Sequence, residues 1–324
     1  MTHTSKQFSS PFFEIRELAQ GVFAVLGDRE GLCHSNAAIV DLGDRTLVFD
    51  TLTLPSYGDD LARACRELTG RDPCWVAFSH YHADHFLGNQ SFPTSTPFMV
   101  TQAMLAPMDE SMVQYQGIID DPDGFKQELD DFTATCEAEE DANKRKAMSI
   151  NLARYQALYR DLGKLRIVRP NTIFEGKMVL SGSKRTAELI EVAHAHTVSD
   201  VYLRLPNEGI CFMGDLGFFD TIPFLGYADP LHWIGTLREF ESSAMTTFVP
   251  GHGVVGGTDK VTLERECIEA IVAAVGEVLA SGEEVTGVLG ERLPEPFRSW
   301  EGDGRFNLMN YRAVAKSIHP DSQD

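Results

Sequence analysis

Ser79-His80-Tyr81-His82-Ala83-Asp84-His85-Phe86 places three imidazoles and a carboxylate within six residues, the densest group of metal-ligand side chains in the chain. An extended segment sends alternate side chains the same way, so His80, His82 and Asp84 are expected to converge on one region. His85 then points to a neighbouring one. Two adjacent cations suit that pattern better than one, because paired catalytic metals sit about 3.5–4 Å apart. The stretch follows the apolar run Cys74-Trp-Val-Ala-Phe78, which reads as a buried strand.

Three further apolar runs end the same way. Leu189-Ile-Glu-Val-Ala193 leads into His194-Ala-His196-Thr197, Ile210-Cys-Phe-Met-Gly214 stops at Asp215, and Thr247-Phe-Val-Pro-Gly251 stops at His252. Taken singly, each of these residues is an ordinary loop side chain. Four strands that deliver ligand residues at their C-terminal ends describe one shared rim, which is where α/β sheets bind ligands.

The ordered set His80-Tyr-His82-Ala-Asp84-His85, Ala195-His196-Thr197-Val-Ser-Asp200, Gly214-Asp215 and Pro250-Gly-His252-Gly253 resembles the metallo-β-lactamase superfamily over roughly residues 15–275. The resemblance implies an α/β fold, a four-layer αβ/βα sandwich. It implies that His80, His82 and His196 hold one metal and that Asp84, His85 and His252 hold a second, with Asp215 bridging them. Asp50, which ends Leu47-Val-Phe-Asp50, is similar to the carboxylate that orients a ligating histidine in this family; a turn residue closing a strand is the alternative. The bridging Asp is not general among true β-lactamases, so the pattern is closer to the glyoxalase II- and lactonase-like hydrolases. Homoserine lactonases place a tyrosine three residues after that Asp, where this chain has Phe218, and the glycine usual before the Asp of the His-Thr motif is Ser199 here. His194 is spaced to face the site, with a supporting or core role as the alternative.

Composition limits the partners. The chain has 324 residues, 43% of them hydrophobic, enough for a packed core. Its 28 Lys and Arg against 48 Asp and Glu give a net charge of −20, which repels phosphate backbones and argues against nucleic acid. The six cysteines show no Cys-x-x-Cys spacing and mostly lie in apolar runs, the pattern of reduced thiols in a cytoplasmic protein. The start, Met1-Thr-His-Thr-Ser-Lys-Gln7, has no apolar targeting segment, and no stretch approaches a membrane span. A small-molecule substrate is the expected partner, and a homo-oligomer is left open.

Along the chain, residues 12–50 read as paired strands with turns at Gly27-Asp28 and Gly43-Asp44. Residues 55–69 read as a helix with Leu61, Ala64, Cys65 and Leu68 on one face. Residues 105–166 are helical and of different character: from Asp109 to Asp141 they carry twelve carboxylates and Lys126 as the single base. They interrupt one domain spanning 1–324 and read as an inserted cap near the metal rim, or else as an oligomerisation element. Residues 216–232 read as a loop whose Phe218, Phe219, Phe224, Tyr227 and His232, with Trp233 after it, form an apolar wall over the site. Helices are expected at 230–243, at 259–280 with Thr258 or Asp259 as N-cap, and at 306–317.

The expected activity is that of a dinuclear metal-dependent hydrolase. Two divalent cations lower the pKa of a bridging water, and the resulting hydroxide attacks an ester, thioester, lactone or related bond, with Asp84 orienting it. Zinc is the default for His/Asp ligands, with iron or manganese as alternatives because no thiolate is among them. An iron-dependent oxygenase of the persulfide dioxygenase type, a phosphodiesterase of the same fold, and a metal-stabilised binding protein are the competing readings. The last would be marked by a lost ligand.

Overall fold

Val22, Ala24 and the unbroken apolar runs at 37–40 and 46–49 bury both faces of their strands, so the N-terminal hairpins form the inside of a layered structure rather than a one-sided sheet. In the computed structural model, residues 8–28, 31–300 and 304–319 are described. The polar stretch 1–7, read above for targeting signals, lies outside them.

Strands β1 (Phe13–Ala19), β2 (Val22–Gly27), β3 (Ala37–Asp41) and β4 (Thr46–Phe49) pair antiparallel in sequence. β5 (Trp75–Ala77), β6 (Phe98–Thr101) and β7 (Thr172–Phe174) then add in parallel, completing a seven-stranded sheet. The second sheet has five strands: β8 (Lys177–Ser181), β9 (Thr186–Ala193), β10 (Ser199–Leu205), β11 (Ile210–Phe218) and β12 (Thr247–His252), with β11 and β12 parallel. This is the mixed α/β sandwich expected of the sequence. Hydrogen bonds join the two sheets at the end that carries the ligands. Asn36 N donates to Gly251 O at 2.8 Å, Asn36 Nδ2 donates to Pro250 O at 2.8 Å, and Val201 N donates to Ser79 O at 2.6 Å.

Helix α1 (Pro55–Thr69) starts with proline at its first turn and ends at Gly70, whose φ of 81° closes the last turn. Leu61, Ala64, Cys65 and Leu68 are buried, as the spacing requires. A short α2 (Ala83–Phe86) follows β5 directly. Between β6 and β7 the chain builds α3 (Leu105–Asp120), α4 (Pro122–Ala138) and α5 (Ala142–Asp161), the helical insertion. Helices α6 (Pro230–Ser242) and α7 (Thr258–Ser281) pack on the second sheet, and α8 (Gly304–Ile318) packs on α7.

The structure corrects two expectations. The residue capping α7 is Gly257, with no side-chain cap, rather than Thr258 or Asp259. Residue 264 falls in that helix's buried stripe, but it is a glutamate: Glu264 is fully buried and accepts a 2.8 Å hydrogen bond from Phe218 N. Phe218 pairs with His252 of β12, so β11 runs on to Phe218, where the sequence reading had ended it at Asp215. All six cysteines are free. Among the described residues no helix is long and apolar enough to cross a membrane.

Within the second sheet, β12 approaches β11 closely at Gly251. A Cβ there would lie 2.0 Å from Asp215 Oδ1 and 2.7 Å from the Gly214 carbonyl carbon. Gly251→Ala is therefore expected to cost about 1–3 kcal/mol by overpacking, read as a lower urea midpoint at constant slope. An unchanged midpoint would mean that β11 and β12 have room to shift apart there.

Candidate metal centre

The motif after β5 is not extended throughout. The chain runs through His80 to His82, whose φ of −74° and ψ of 139° are still strand-like, and then turns into α2 at Ala83. Asp84 therefore does not join His80 and His82 as alternation had suggested. The turn sends it, with His85, to the other half of the site. Two groups result: His80, His82, His196 and Asp215 in one, and His85, Asp215 and His252 in the other, with Asp84 beside His252. The ligand rim is thus formed where the two sheets meet rather than along one sheet edge.

The distances identify what the groups are built to hold. Four ligand atoms about 2.0–2.1 Å from a tetrahedral zinc stand about 3.4 Å from one another. Asp215 Oδ2 lies 3.5 Å from His80 Nε2 and 3.4 Å from His196 Nε2, and His196 Nε2 lies 3.2 Å from His82 Nδ1. In the other group Asp215 Oδ1 lies 3.0 Å from His85 Nε2 and 3.4 Å from His252 Nε2. Asp84 Oδ2 lies 3.4 Å from His85 Nε2 and 3.3 Å from His252 Nε2, and the two imidazole nitrogens are 3.5 Å apart. His80 Nε2 and Asp215 Oδ1 are enclosed yet make no hydrogen bond. Buried polar atoms are normally paired, so contacts this close without hydrogen bonds fit atoms that share an ion. The donor set suits two dications, with Asp215 presenting one oxygen to each.

The outward nitrogen is fixed for His80, His85, His196 and His252, whereas His82 Nε2 has no hydrogen-bond partner among the described residues. The Ser79 hydroxyl donates to Asp50 and accepts from His80 Nδ1 at 2.9 Å. Asp50 also accepts from Ser79 N at 2.7 Å and from His85 Nδ1 at 2.9 Å. His196 Nδ1 is held by Phe224 O and His252 Nδ1 by His34 O, both at 3.0 Å. Such partners set the tautomer and aim the other nitrogen. Asp50 thus does more than close β4. Its φ of 62°, costly for a residue other than glycine, turns the carboxylate under His85.

Burial depresses His80, His82 and His196, the last to about 3, so these imidazoles are neutral and ready to bind a cation. His85 and His252 behave oppositely. Against burial, which disfavours their charge, Asp215 and Asp84 raise His85 well above the usual range and His252 to about 9. Their protons supply the positive charge that a second ion would bring. Against the same burial penalty, His85 and His252 hold Asp84 and Asp215 well below the carboxylate range.

A pH prediction follows, with its sign. A histidine raised in the fold from 6.5 to about 9 contributes stability that is present below 6.5 and lost as pH climbs to about 9. Ion binding must displace that proton. Zinc affinity of the metal-free protein should therefore rise with pH up to about 9, with net proton release at neutral pH. Titration calorimetry in buffers of differing ionisation enthalpy measures this, and buffer-independent heats would contradict it.

A cavity of about 900 Å³ opens over the cluster and is bordered by His82, Asp84, Asp215 and His252. The insertion contributes Tyr115, Ile150 and Leu158, and the segment after Asp215 contributes Phe218, Phe224 and Tyr227. Phe218 stacks on His252 with ring centroids 5.0 Å apart. Two candidate residues fall elsewhere. His194, at φ 55° in the turn after β9, is exposed, and His232 is exposed on the first turn of α6; neither lines the cavity. Phe219 and Trp233 are core side chains, and the Trp233 indole donates to Leu216 O.

Sequence reasoning missed His34. Its Nε2 lies 3.3 Å from Asp84 Oδ2, and its ring stacks on His252 at 5.3 Å. It stands alone in a loop, and only the fold brings it to His252, so no spacing signal could have found it. The C-terminal contribution of Arg298, Ser299, Trp300 and Asn310 to the cavity wall was likewise not foreseen.

Residues 31–252 match the family model of the metallo-beta-lactamase superfamily, and the chain belongs to that superfamily. Among solved structures, DIM-1 metallo-beta-lactamase superposes with a TM-score of 0.54 at 16% identity, covering 80% of this chain and 98% of that one. The mono-zinc form of FIM-1 from Pseudomonas aeruginosa gives 0.52 at 15% identity, with 80% and 95% covered. A metallo-beta-lactamase from Pontibacter korlensis gives 0.54 at 13% identity, with 79% and 99% covered. At such identities the likeness is one of fold. A sequence search of curated proteins returns no match.

Proposed function

We propose that the chain is a dinuclear metal-dependent hydrolase of small molecules, acting on an ester, thioester, lactone or related bond, closer to the glyoxalase II- and lactonase-like members than to true β-lactamases. The observation that carries this is the pair of near-tetrahedral ligand groups sharing Asp215 through separate oxygens. A bound pair of dications, zinc by default, supplies Lewis acidity and a water acidified toward neutrality.

The protein's own side chains do the rest. Asp84 borders the cavity and is ionised, so it can accept a hydrogen bond from the attacking water and hold it in line with the substrate carbonyl. Asp50, Ser79 and the carbonyls of His34 and Phe224 keep the imidazoles aimed without reorganisation. The aromatic walls exclude bulk water and favour an apolar substrate body. The complete second group, Asp84, His85 and His252, speaks for two ions and against a one-metal, persulfide dioxygenase-like reading.

The test is metal content of the purified protein, followed by zinc-, iron- and manganese-loaded samples on a panel of lactone, thioester, ester, β-lactam and phosphodiester substrates. Two ions per chain with turnover of a carbonyl substrate is the expected result. One ion per chain, or turnover confined to phosphodiesters, would replace this reading.

A further inference from the structure

The cavity wall is basic in an acidic protein. Across the chain, Asp and Glu outnumber Lys and Arg by 48 to 28. Along the cavity the described bases are Lys146, Arg154 and Arg298, against Asp84 and Asp215 alone, and both of those acids belong to the metal centre. Away from the ions the lining is therefore entirely positive among its charged groups.

One part of that wall also carries unsatisfied donors. Tyr57, 2% exposed, and Thr53 both border the cavity, and neither the Tyr57 hydroxyl nor Thr53 Oγ1 has a hydrogen-bond partner among the described residues. Leaving a buried hydroxyl unpaired costs about 1–3 kcal/mol, so two on one wall need an explanation. Thr53 follows Leu52, a bulky residue held at φ 65° in the strained loop that also carries Asp50. Arg154 of α5, which also lines the cavity, is tethered by its Nε to Gly31 O at 3.2 Å. Like Tyr57 and Thr53, His34 lines the cavity, and it touches Asp84. The cavity over the metal centre thus also reaches Arg154 and Tyr57.

We propose that this cap-side lobe binds a carboxylate of the substrate, with the Arg154 guanidinium and the hydroxyls of Tyr57 and Thr53 as donors. Arginine matches a carboxylate through a planar fork, and the two hydroxyls complete the oxygen coordination. This deepens the hydrolase reading and rests on it. The substrate has the scissile carbonyl at one end, an apolar body against Tyr115, Ile150 and Leu158, and an anionic end under the cap.

The test uses zinc-loaded, full-length protein and equilibrium binding of phenylbutyrate against phenylbutanamide, which have the same shape and differ in charge. Wild type is expected to prefer the acid by about tenfold or more. Arg154→Met should reduce that preference to about twofold or less, and Arg154→Lys, which keeps the charge and loses the fork, should retain part of it. Tyr57→Phe should weaken acid binding severalfold. Equal binding of acid and amide by wild type, or a full preference surviving in R154M, overturns the proposal; the latter result would place the anion on the metal centre.

A second arm separates the two readings. Hydrolysis of para-nitrophenyl hexanoate is compared with that of the mono-para-nitrophenyl ester of adipate, which adds a terminal carboxylate. If neither ester is turned over while the Arg154-dependent preference holds, the hydrolase reading fails and the subsite stands. If both are turned over at equal kcat/KM and acid and amide bind alike, the subsite fails and the hydrolase stands.

Discussion

Replacing Asp215 by Asn is expected to reduce bound metal from two ions to one and to lower turnover by about three orders of magnitude. The carboxylate offers Oδ2 to His80 and His196 and Oδ1 to His85 and His252, and it is the one residue common to both ligand groups. An amide keeps the shape but removes one negative charge between two dications, whose repulsion at about 4 Å is then uncompensated. It also exchanges one acceptor oxygen for an NH₂ that cannot ligate. The His80, His82 and His196 group keeps three neutral imidazoles and should retain its ion, so the loss should fall on the His85 and His252 side. Metal content by mass spectrometry, with circular dichroism to verify the fold, makes the check. Full metal content with undiminished activity would reduce Asp215 to a strand-end residue.

Asp50→Ala is expected to have a comparable effect from outside the ligand set. Its carboxylate, 1% exposed, accepts from Ser79 N, the Ser79 hydroxyl and His85 Nδ1. Removal leaves these donors buried without an acceptor, a cost of about 1–3 kcal/mol for each that stays unpaired. It also frees the His85 ring, and Ser79 no longer holds His80. Loss of such a supporting partner typically weakens metal affinity about 10–100-fold. Asp50→Asn should be milder, because its amide oxygen can still accept one of the three bonds. Zinc competition against a chelating dye, alongside urea unfolding of the metal-free protein, measures both effects. Unchanged affinity in the Ala variant would mean that Ser79 and the backbone alone fix the two rings.

The sequence determined the buried strands, their His and Asp ends and the first helix because these are written in short-range chemistry, and the resemblance carried by those ordered motifs implied the fold class and the ligand set. Apolar runs stopped by His or Asp announce buried strands with functional ends, and a Pro55-to-Gly70 apolar stripe announces a helix; these signals depend only on near neighbours. His80, His82, Asp84, His85, His196, Asp215 and His252 could therefore be named before any contact was known. How they divide was implied by the family resemblance and could not be read from the spacing. Strand-like alternation grouped Asp84 with His80 and His82, and the backbone turns at Ala83 instead, moving Asp84 to His252 on another sheet. The same limit hid His34, which meets His252 only because the β2–β3 loop folds over β12. It also placed His194 and His232 at the site, although a positive φ and the first turn of α6 leave them in solvent. The cavity was legible in part, through the insertion and the segment after Asp215, while the rest of its lining belongs to the tertiary structure. Its walls come from α1, the insertion, the segment after Asp215 and the C-terminal region, and the meeting of Thr53 and Tyr57 with Arg154 around it is set by packing between parts of the chain about a hundred residues apart. Ligand type is a local property of the chain; which side chains face one another across a cavity depends on long-range packing, and no periodicity in the sequence records it.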